Sequence, residues 1–322
     1  MTFRKLAVKA LILIALLLAT FAVVTLWMAS RAETRAEAAF PPLGEFVDVD
    51  GVRVHALVMG SGPDLVLIHG SSGNVRDLSF ELAGKLATDY RVIIFDRPGL
   101  GYTDSFKPEG ESIVDQARVL SAAAAKLGAT QPIVAGQSYG GAVALAWAVH
   151  FPDRISALVP IAAASNPWTT PLDPLYQITS HPILGPIVIP MITAYVTRDR
   201  VERSLVAVFE PQAVPTGYAD HFGPGLTLRR GSLRANAKHR ANLLGEIQAL
   251  HTRYGEIAVP TEIIHGTADT TVGIHIHSEP LSRQIPGAVL TPMPGIGHMP
   301  QHVAHDAVIA AIHRAAARAG LR

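Results

Sequence analysis

The sequence predicts an α/β fold, a parallel sheet with helices on both faces. Three observations carry that expectation. Short apolar runs alternate with helical stretches from Glu45 to Ile161. One run, Leu65-Val66-Leu67-Ile68, is apolar without a break, as a strand covered on both faces must be. In Gly136-Gln137-Ser138-Tyr139-Gly140, small residues form a sharp turn between an apolar run and an alanine-rich one. With 322 residues, 49 % apolar and 16 % charged, the chain can bury a sizeable core without any cross-link. A net charge of +1 and the lack of a dense basic run give no reason to expect nucleic acid. Cysteine is absent, which excludes disulfides and thiolate catalysis.

Ala10 to Ala29 carries no charge and is dominated by Leu, Ile, Ala and Val. About 20 such residues span the hydrocarbon core of a bilayer as a helix. Arg4, Lys5 and Lys9 precede the stretch, and Arg31 and Arg35 follow it, interleaved with Glu33 and Glu37. That balance favours the N-terminus inside and the remainder outside the cytoplasm, periplasmic or extracellular. The alternative is a cleaved signal peptide and a secreted product. Its apolar region is usually only about 7–15 residues, and the Ala36-x-Ala38 site lies well past the apolar run. Arg31 to Ala39 reads as a polar helix that Pro41-Pro42 stops, so residues 1–40 form an anchor and linker.

Phe46-Val47-Asp48-Val49 and Val52 to Val58 flank Asp50-Gly51, a hairpin signal. After the Leu65 strand, Asp77 to Ala87 reads as a helix, Arg91 to Phe95 as a strand and Ser112 to Leu127 as a helix. The Ile133 strand, a helix from Tyr139 to His150 and the Ile155 to Ile161 strand follow. From about Ser165 to Leu250 the alternation breaks, with frequent proline and only short helical stretches. It resumes with strands at Thr261 to Ile264 and Ala288 to Leu290 and a last helix from Val303 to Arg318. The expected organisation is a core of residues 41–164 and 251–322 interrupted by a mostly helical insertion, 165–250.

In a parallel sheet the chemistry gathers beyond the carboxyl ends of strands. Ser138 follows one such end and opens a helix, the setting of a nucleophile elbow. A serine hydroxyl needs a base to take its proton and a third group to orient that base. Asp269, just past the Thr261 strand, and His298, in a Gly/Pro-rich loop after the Leu290 strand, are the candidates. The order Ser, acid, His fits. An oxyanion hole needs two backbone N–H donors. The elbow supplies the Tyr139 amide, and the His69-Gly70-Ser71-Ser72-Gly73 loop supplies Ser71, or else Ser72.

The set IHGSSG at 68–73, FDRPGLGYTD at 95–104, GQSYGG at 136–141, HGTADTTV at 265–272 and GIGHMPQ at 295–301 resembles the α/β-hydrolase superfamily. The resemblance covers roughly residues 45–165 and 255–322. It implies an eight-stranded, mostly parallel sheet with a cap inserted after the sixth strand. It also implies Ser138 as nucleophile, His298 as base, Asp269 as acid, and the Ser71 and Tyr139 amides as the oxyanion hole. Epoxide hydrolases and haloalkane dehalogenases look similar around the DRPGLG loop but carry aspartate as nucleophile. Serine at 138 argues against both chemistries.

His275 with His277, and His302 with His305, have spacings that could face a metal, but no carboxylate pattern supports one. No metal or cofactor is expected. Arg97 is expected to hold loop structure, and Arg198, Arg200, Arg203, Arg229, Arg230 and Arg234 to form a solvated face. His181 to Ile192 is strongly apolar and could cover an apolar pocket, lie on a bilayer, or simply pack the cap against the sheet domain. The expected activity is hydrolysis of a carboxylic ester, apolar or lipid-like, by a membrane-anchored protein. Amide or C–C hydrolysis, cofactor-free haloperoxidase-type activity and a non-catalytic small-molecule receptor are the alternatives.

Overall fold

The computed structural model describes residues 2–322. Helix α1, Thr2–Ala39, leads into the hairpin β1, Glu45–Val49, and β2, Val52–Met59. Asp50 (φ 53°) and Gly51 (φ 84°) make the turn with two left-handed residues, which matches the twist of a two-residue hairpin. Then come β3, Asp64–Ile68; α2, Val75–Ser79; α3, Leu82–Leu86; β4, Arg91–Phe95; α4, Ile113–Lys126; β5, Ile133–Gln137; α5, Tyr139–His150; and β6, Ala157–Ile161. Six helices separate β6 from the next strand: α6, Pro174–Ser180; α7, Gly185–Tyr195; α8, Arg198–Phe209; α9, Tyr218–Phe222; α10, Pro224–Thr227; and α11, Arg230–Leu250. The chain closes with β7, Glu262–Gly266; α12, Ser278–Gln284; β8, Val289–Met293; α13, Pro300–Val303; and α14, His305–Arg318.

The eight strands form one sheet in the order β1-β2-β4-β3-β5-β6-β7-β8, and only pairings that involve β2 are antiparallel. Alternate strand residues feed two cores. Val66, Ile68, Ile93 and Phe95 pack with α4 and α5, while Leu65, Leu67, Val92 and Ile94 pack with α2, α3 and α14. The unbroken apolar runs are therefore buried on both faces, and the six-helix insertion forms a cap after the sixth strand.

Five expectations differ from what the chain does. The segment Asp77 to Ala87 is two short helices, because Glu81 leaves helical geometry (φ −139°). Phe80 turns its ring against Tyr218 and His302, which a continuous helix would not allow. The cap is not built only of short helices: α11 runs 21 residues, free of proline, and places Leu243, Ile247 and Leu250 in the core. The last helix is divided at Ala304. Finally, Arg31 to Ala39 is no free linker. It continues α1 without a break and docks on the cap. Glu33 pairs with Arg230 at 2.6 Å and Glu37 with Arg229 at 2.9 Å, and Ala36 is buried against Gly225. Arg229 and Arg230 thus hold α1 rather than join a solvated face, whereas Arg198, Arg200 and Arg203 are exposed.

Buried carboxylates stitch cap to core. Asp77 on α2 accepts from His302 Nε2 and from the Tyr218 hydroxyl, both at 2.7 Å. Glu111 accepts from His239 Nε2 of α11 at 2.9 Å. Burial alone would raise Glu111, but His239, Ser105 and the Phe106 and Lys107 amides overcome it and bring the carboxyl down to about 2. Its contribution is present above the usual carboxylate range and is lost as pH falls toward 2. Glu246, also on α11, behaves oppositely. Its Oε2 accepts from the Ile113 amide at 2.9 Å, and burial pushes it from 4.5 up to about 7. A raised carboxyl means that the folded state holds its proton more tightly, so this site favours folding below pH 4.5 and loses that advantage as pH climbs through 7. Glu246→Gln keeps an acceptor for Ile113 and is expected to raise stability at pH 8 by about 1–3 kcal/mol. Urea unfolding at pH 5 and pH 8 checks this; parallel curves for both proteins would contradict it.

Candidate active site

The sharp turn expected at residues 136–140 is present and strained. Ser138 has φ 54° and ψ −117°, a region that costs a non-glycine residue about 1–3 kcal/mol and persists only where its surroundings enforce it. Those surroundings are dense. The Ser138 amide donates to Ile161 O of β6, and the Ser138 carbonyl accepts from Gly141, Ala142 and Ala164 amides. Helix α5 can begin this close to the sheet because Gly140 has no side chain: a Cβ there would run into the Ile68 and His69 carbonyls.

The three residues expected to act together are together. His298 Nε2 lies 3.0 Å from Ser138 Oγ, and His298 Nδ1 lies 2.7 Å from Asp269 Oδ2. With Nδ1–H donating to the carboxylate, Nε2 is left to accept from the serine hydroxyl. The other carboxylate oxygen, Asp269 Oδ1, accepts from the Thr271 and Val272 amides, each at 2.8 Å. Burial would raise Asp269, but hydrogen bonds from His265, His298 and Val272 outweigh it and hold the carboxyl well below the usual range. It is a fixed negative charge behind His298 throughout the neutral range. Ser138, His298 and Asp269 are only 7 %, 4 % and 7 % exposed, so the set lies beneath the cap.

The loop after β3 lies against the serine: a Cβ on Gly70 would sit 3.3 Å from Ser138 Cβ. Of the two amides considered there, one already has a partner. Ser72 N–H donates to Asn236 Oδ1 at 2.9 Å and is occupied. Ser71 N and Tyr139 N have no acceptor among the described residues, and the Ser71 hydroxyl is buried without a partner. Arg97 holds the loop, as its motif led one to expect. Its guanidinium donates to the carbonyls of His69 (3.0 Å) and Gly70 (2.9 Å) and lies 4.3 Å above the Tyr139 ring. Burial and the Arg97 charge lower His69 to about 4. The neutral ring donates from Nδ1 to Gly70 O and accepts the Arg97 amide at Nε2.

Sequence reasoning missed three residues. Asn236 of α11 also donates to Ser72 Oγ at 2.9 Å, and Thr227 of α10 donates to Ser72 O at 2.8 Å; together they hold Ser72 at φ 57°. Gln212, between α8 and α9, clamps the His298 loop by donating to Gly295 O and accepting from the Gly297 amide, both at 2.8 Å. All three lie in the cap insertion, which none of the five motifs reaches, and nothing in its pattern marks them. A signal did exist for His265, four residues before Asp269. Its Nε2–H is shared between Val272 O (2.7 Å) and Asp269 Oδ2 (3.1 Å). The histidines weighed as metal ligands separate. His277 Nδ1 accepts the Ser165 and Asn166 amides, His275 pairs with Glu279 at the surface, His302 binds Asp77, and His305 lies 3.7 Å from Glu81.

Known proteins agree with this geometry at the level of fold. A family profile described as "alpha/beta hydrolase fold" matches residues 63–304. The chain is 28 % identical over 287 residues to haloalkane dehalogenase 2 of Mycobacterium tuberculosis, covering 85 % of this chain and 94 % of that protein. A bacterial membrane phospholipase A, described as a virulence factor, superposes with TM-score 0.62 at 19 % identity over 97 % of this chain and 99 % of its own. A thermophilic esterase from Thermogutta terrifontis gives TM-score 0.66 at 19 % identity, covering 85 % and 99 %.

Because α5 starts under the end of β3, Gly140→Ala is expected to destabilise the protein by about 2–3 kcal/mol through overpacking. Chemical unfolding of the detergent-solubilised chain measures it, and an unshifted midpoint would show that the helix has room to move.

Proposed function

The chain belongs to the α/β hydrolase fold family, and on that premise we propose that it is a serine hydrolase of carboxylic esters. The observation that carries the reading is the unbroken line from Ser138 Oγ through His298 to Asp269, with the second oxygen of Asp269 saturated by two amides. Serine in place of the aspartate of the dehalogenase pattern favours acyl transfer over halide displacement. In this mechanism His298 Nε2 takes the proton as Ser138 Oγ bonds to the ester carbonyl carbon. The negative oxygen faces the Ser71 and Tyr139 amides; that of Tyr139 stands at the N-terminal end of α5, where the helix dipole adds to the donor. As the tetrahedral adduct collapses, its C–O bond to the alcohol breaks, and His298 gives the proton to the departing oxygen. Water, deprotonated by the same histidine, then attacks the acyl-enzyme, and the proton returns to Ser138 as the acid leaves.

The protein is further read as anchored through residues 10–29 with its catalytic domain outside the cytoplasm. Helix α1 is long and apolar enough to cross a membrane, with a mean hydropathy of 2.7 over its best 18 residues. Its unbroken course through Ala36-Glu37-Ala38 and its two ion pairs to the cap favour an uncleaved anchor.

Ser138→Ala is expected to abolish p-nitrophenyl ester hydrolysis and labelling by a fluorophosphonate probe; full activity in that variant would sink the reading. A parallel panel of aminoacyl amides separates ester from amide preference. Asn236→Ala frees Ser72 and loosens the loop that bears the Ser71 amide. The expected result is a kcat about 10–100-fold lower with KM little changed. A rise in KM alone would assign Asn236 to substrate binding instead.

A further inference from the structure

Most of the exposed large apolar side chains of the described residues lie in two places that touch. One is α1 from Leu6 to Trp27, where large apolar side chains are exposed all round the helix. The other is the pair α6–α7. There Leu175, Ile178, Ile183, Leu184, Ile187 and Met191 are 38–68 % exposed, with no protein against their outer faces. From Pro174 to Thr197 the chain has no Asp, Glu, Lys or Arg. The two helices meet at 117°, so the pair forms a bent ridge rather than one rod. The surfaces join where the Tyr195 hydroxyl of α7 lies 2.9 Å from Thr25 Oγ1 and its ring stacks on Phe21 at 6.2 Å.

We infer that the α6–α7 ridge is embedded in the lipid leaflet that α1 enters, at the boundary of headgroups and acyl chains, and that the site draws its ester from that leaflet. Lipid is the occupant because the ridge continues the surface of a helix whose own exposed face only lipid can cover. The geometry also gives the ridge a route inward. Helix α6 links the ridge to the β3 loop: its Leu175 and Ile178 are exposed, while its Tyr176 hydroxyl accepts from Asn236, which holds Ser72. The substrate class is then a long-chain ester that partitions into a bilayer. This last step rests on Ser138 as nucleophile; the lipid contact does not.

Because the chain lacks cysteine, single-cysteine labelling is clean. The full chain, in phosphatidylcholine–phosphatidylglycerol vesicles, would carry an environment-sensitive nitrobenzoxadiazole label at Ile183→Cys, Ile187→Cys or Asp153→Cys. The last lies before β6, at the end of the sheet opposite the cap. Labels at 183 and 187 are expected to shift to the blue and be quenched by spin-labelled lipid, with the label at 153 unaffected. Absence of lipid quenching at 183 and 187 would overturn the inference. So would a blue shift that lipid does not quench and that grows with the protein-to-lipid ratio, since a second copy would then cover the ridge. The paired change Ile183→Asp and Ile187→Asp is expected to lower hydrolysis of a long-chain ester in vesicles about tenfold or more, leaving a soluble short-chain ester unaffected. Equal loss on both would overturn delivery from the leaflet. Retained ester hydrolysis by Ser138→Ala would remove the nucleophile reading and leave the quenching pattern standing.

Discussion

The backbone of Ser138 is held where a residue with a side chain does not settle unaided, and the surrounding structure is arranged around that constraint. Relaxed to ordinary strand or helix geometry, the serine would swing Oγ away from His298 and the amide of Tyr139 out of line. The force that prevents this is steric and local: β5 ends, α5 begins at once, and β6 takes the Ser138 amide. Gly140 lets the helix start against the end of β3, Gly136 leaves room for the Gly140 carbonyl, and Gly141 leaves room for Ala163. The rest of the sheet contributes by lining up the ends of β3, β5, β7 and β8, so that four loops converge on one point.

The cap is part of the same constraint. Two of the loops that face Ser138 are not self-supporting. The β3 loop takes its shape from Asn236 and Thr227, and the His298 loop from Gln212. The seam beneath them holds Glu111 against His239, and Asp77 between His302 and Tyr218. Burying these groups is tolerable because each carboxylate accepts two or more hydrogen bonds. Glu246 has only one amide, and its carboxyl rises accordingly.

Much of the fold and of the candidate site was legible because the signals are local. A buried strand is an apolar run, a two-residue hairpin needs Asp50-Gly51, and an elbow needs glycine on both sides of its serine. Asp269 and His298 follow from asking what lies past the strand ends. What stayed hidden depends on partners far away in the chain. Phe80 breaks a helix for the sake of Tyr218, more than a hundred residues on, and neither glycine nor proline marks the spot. Asn236 looks like any polar residue on an amphipathic helix until Ser72 is brought beneath it. Glu33 and Glu37 read as solvated charge beside a membrane segment until Arg229 and Arg230 meet them. Likewise only the fold brings a distant asparagine to the Ser72 amide.

The grip of Asn236, Thr227 and Gln212 on the loops around Ser138 bears on modularity. Caps of this architecture look like detachable accessories, since they enter and leave the core between two adjacent strands. Here the graft would fail at its underside. A foreign cap could bring a new pocket yet leave Ser72 and the Gly295–Gly297 turn without their clasps. A new pocket that keeps these clasps would therefore have to be built on the upper surface of the existing cap, with its lower surface left as it is.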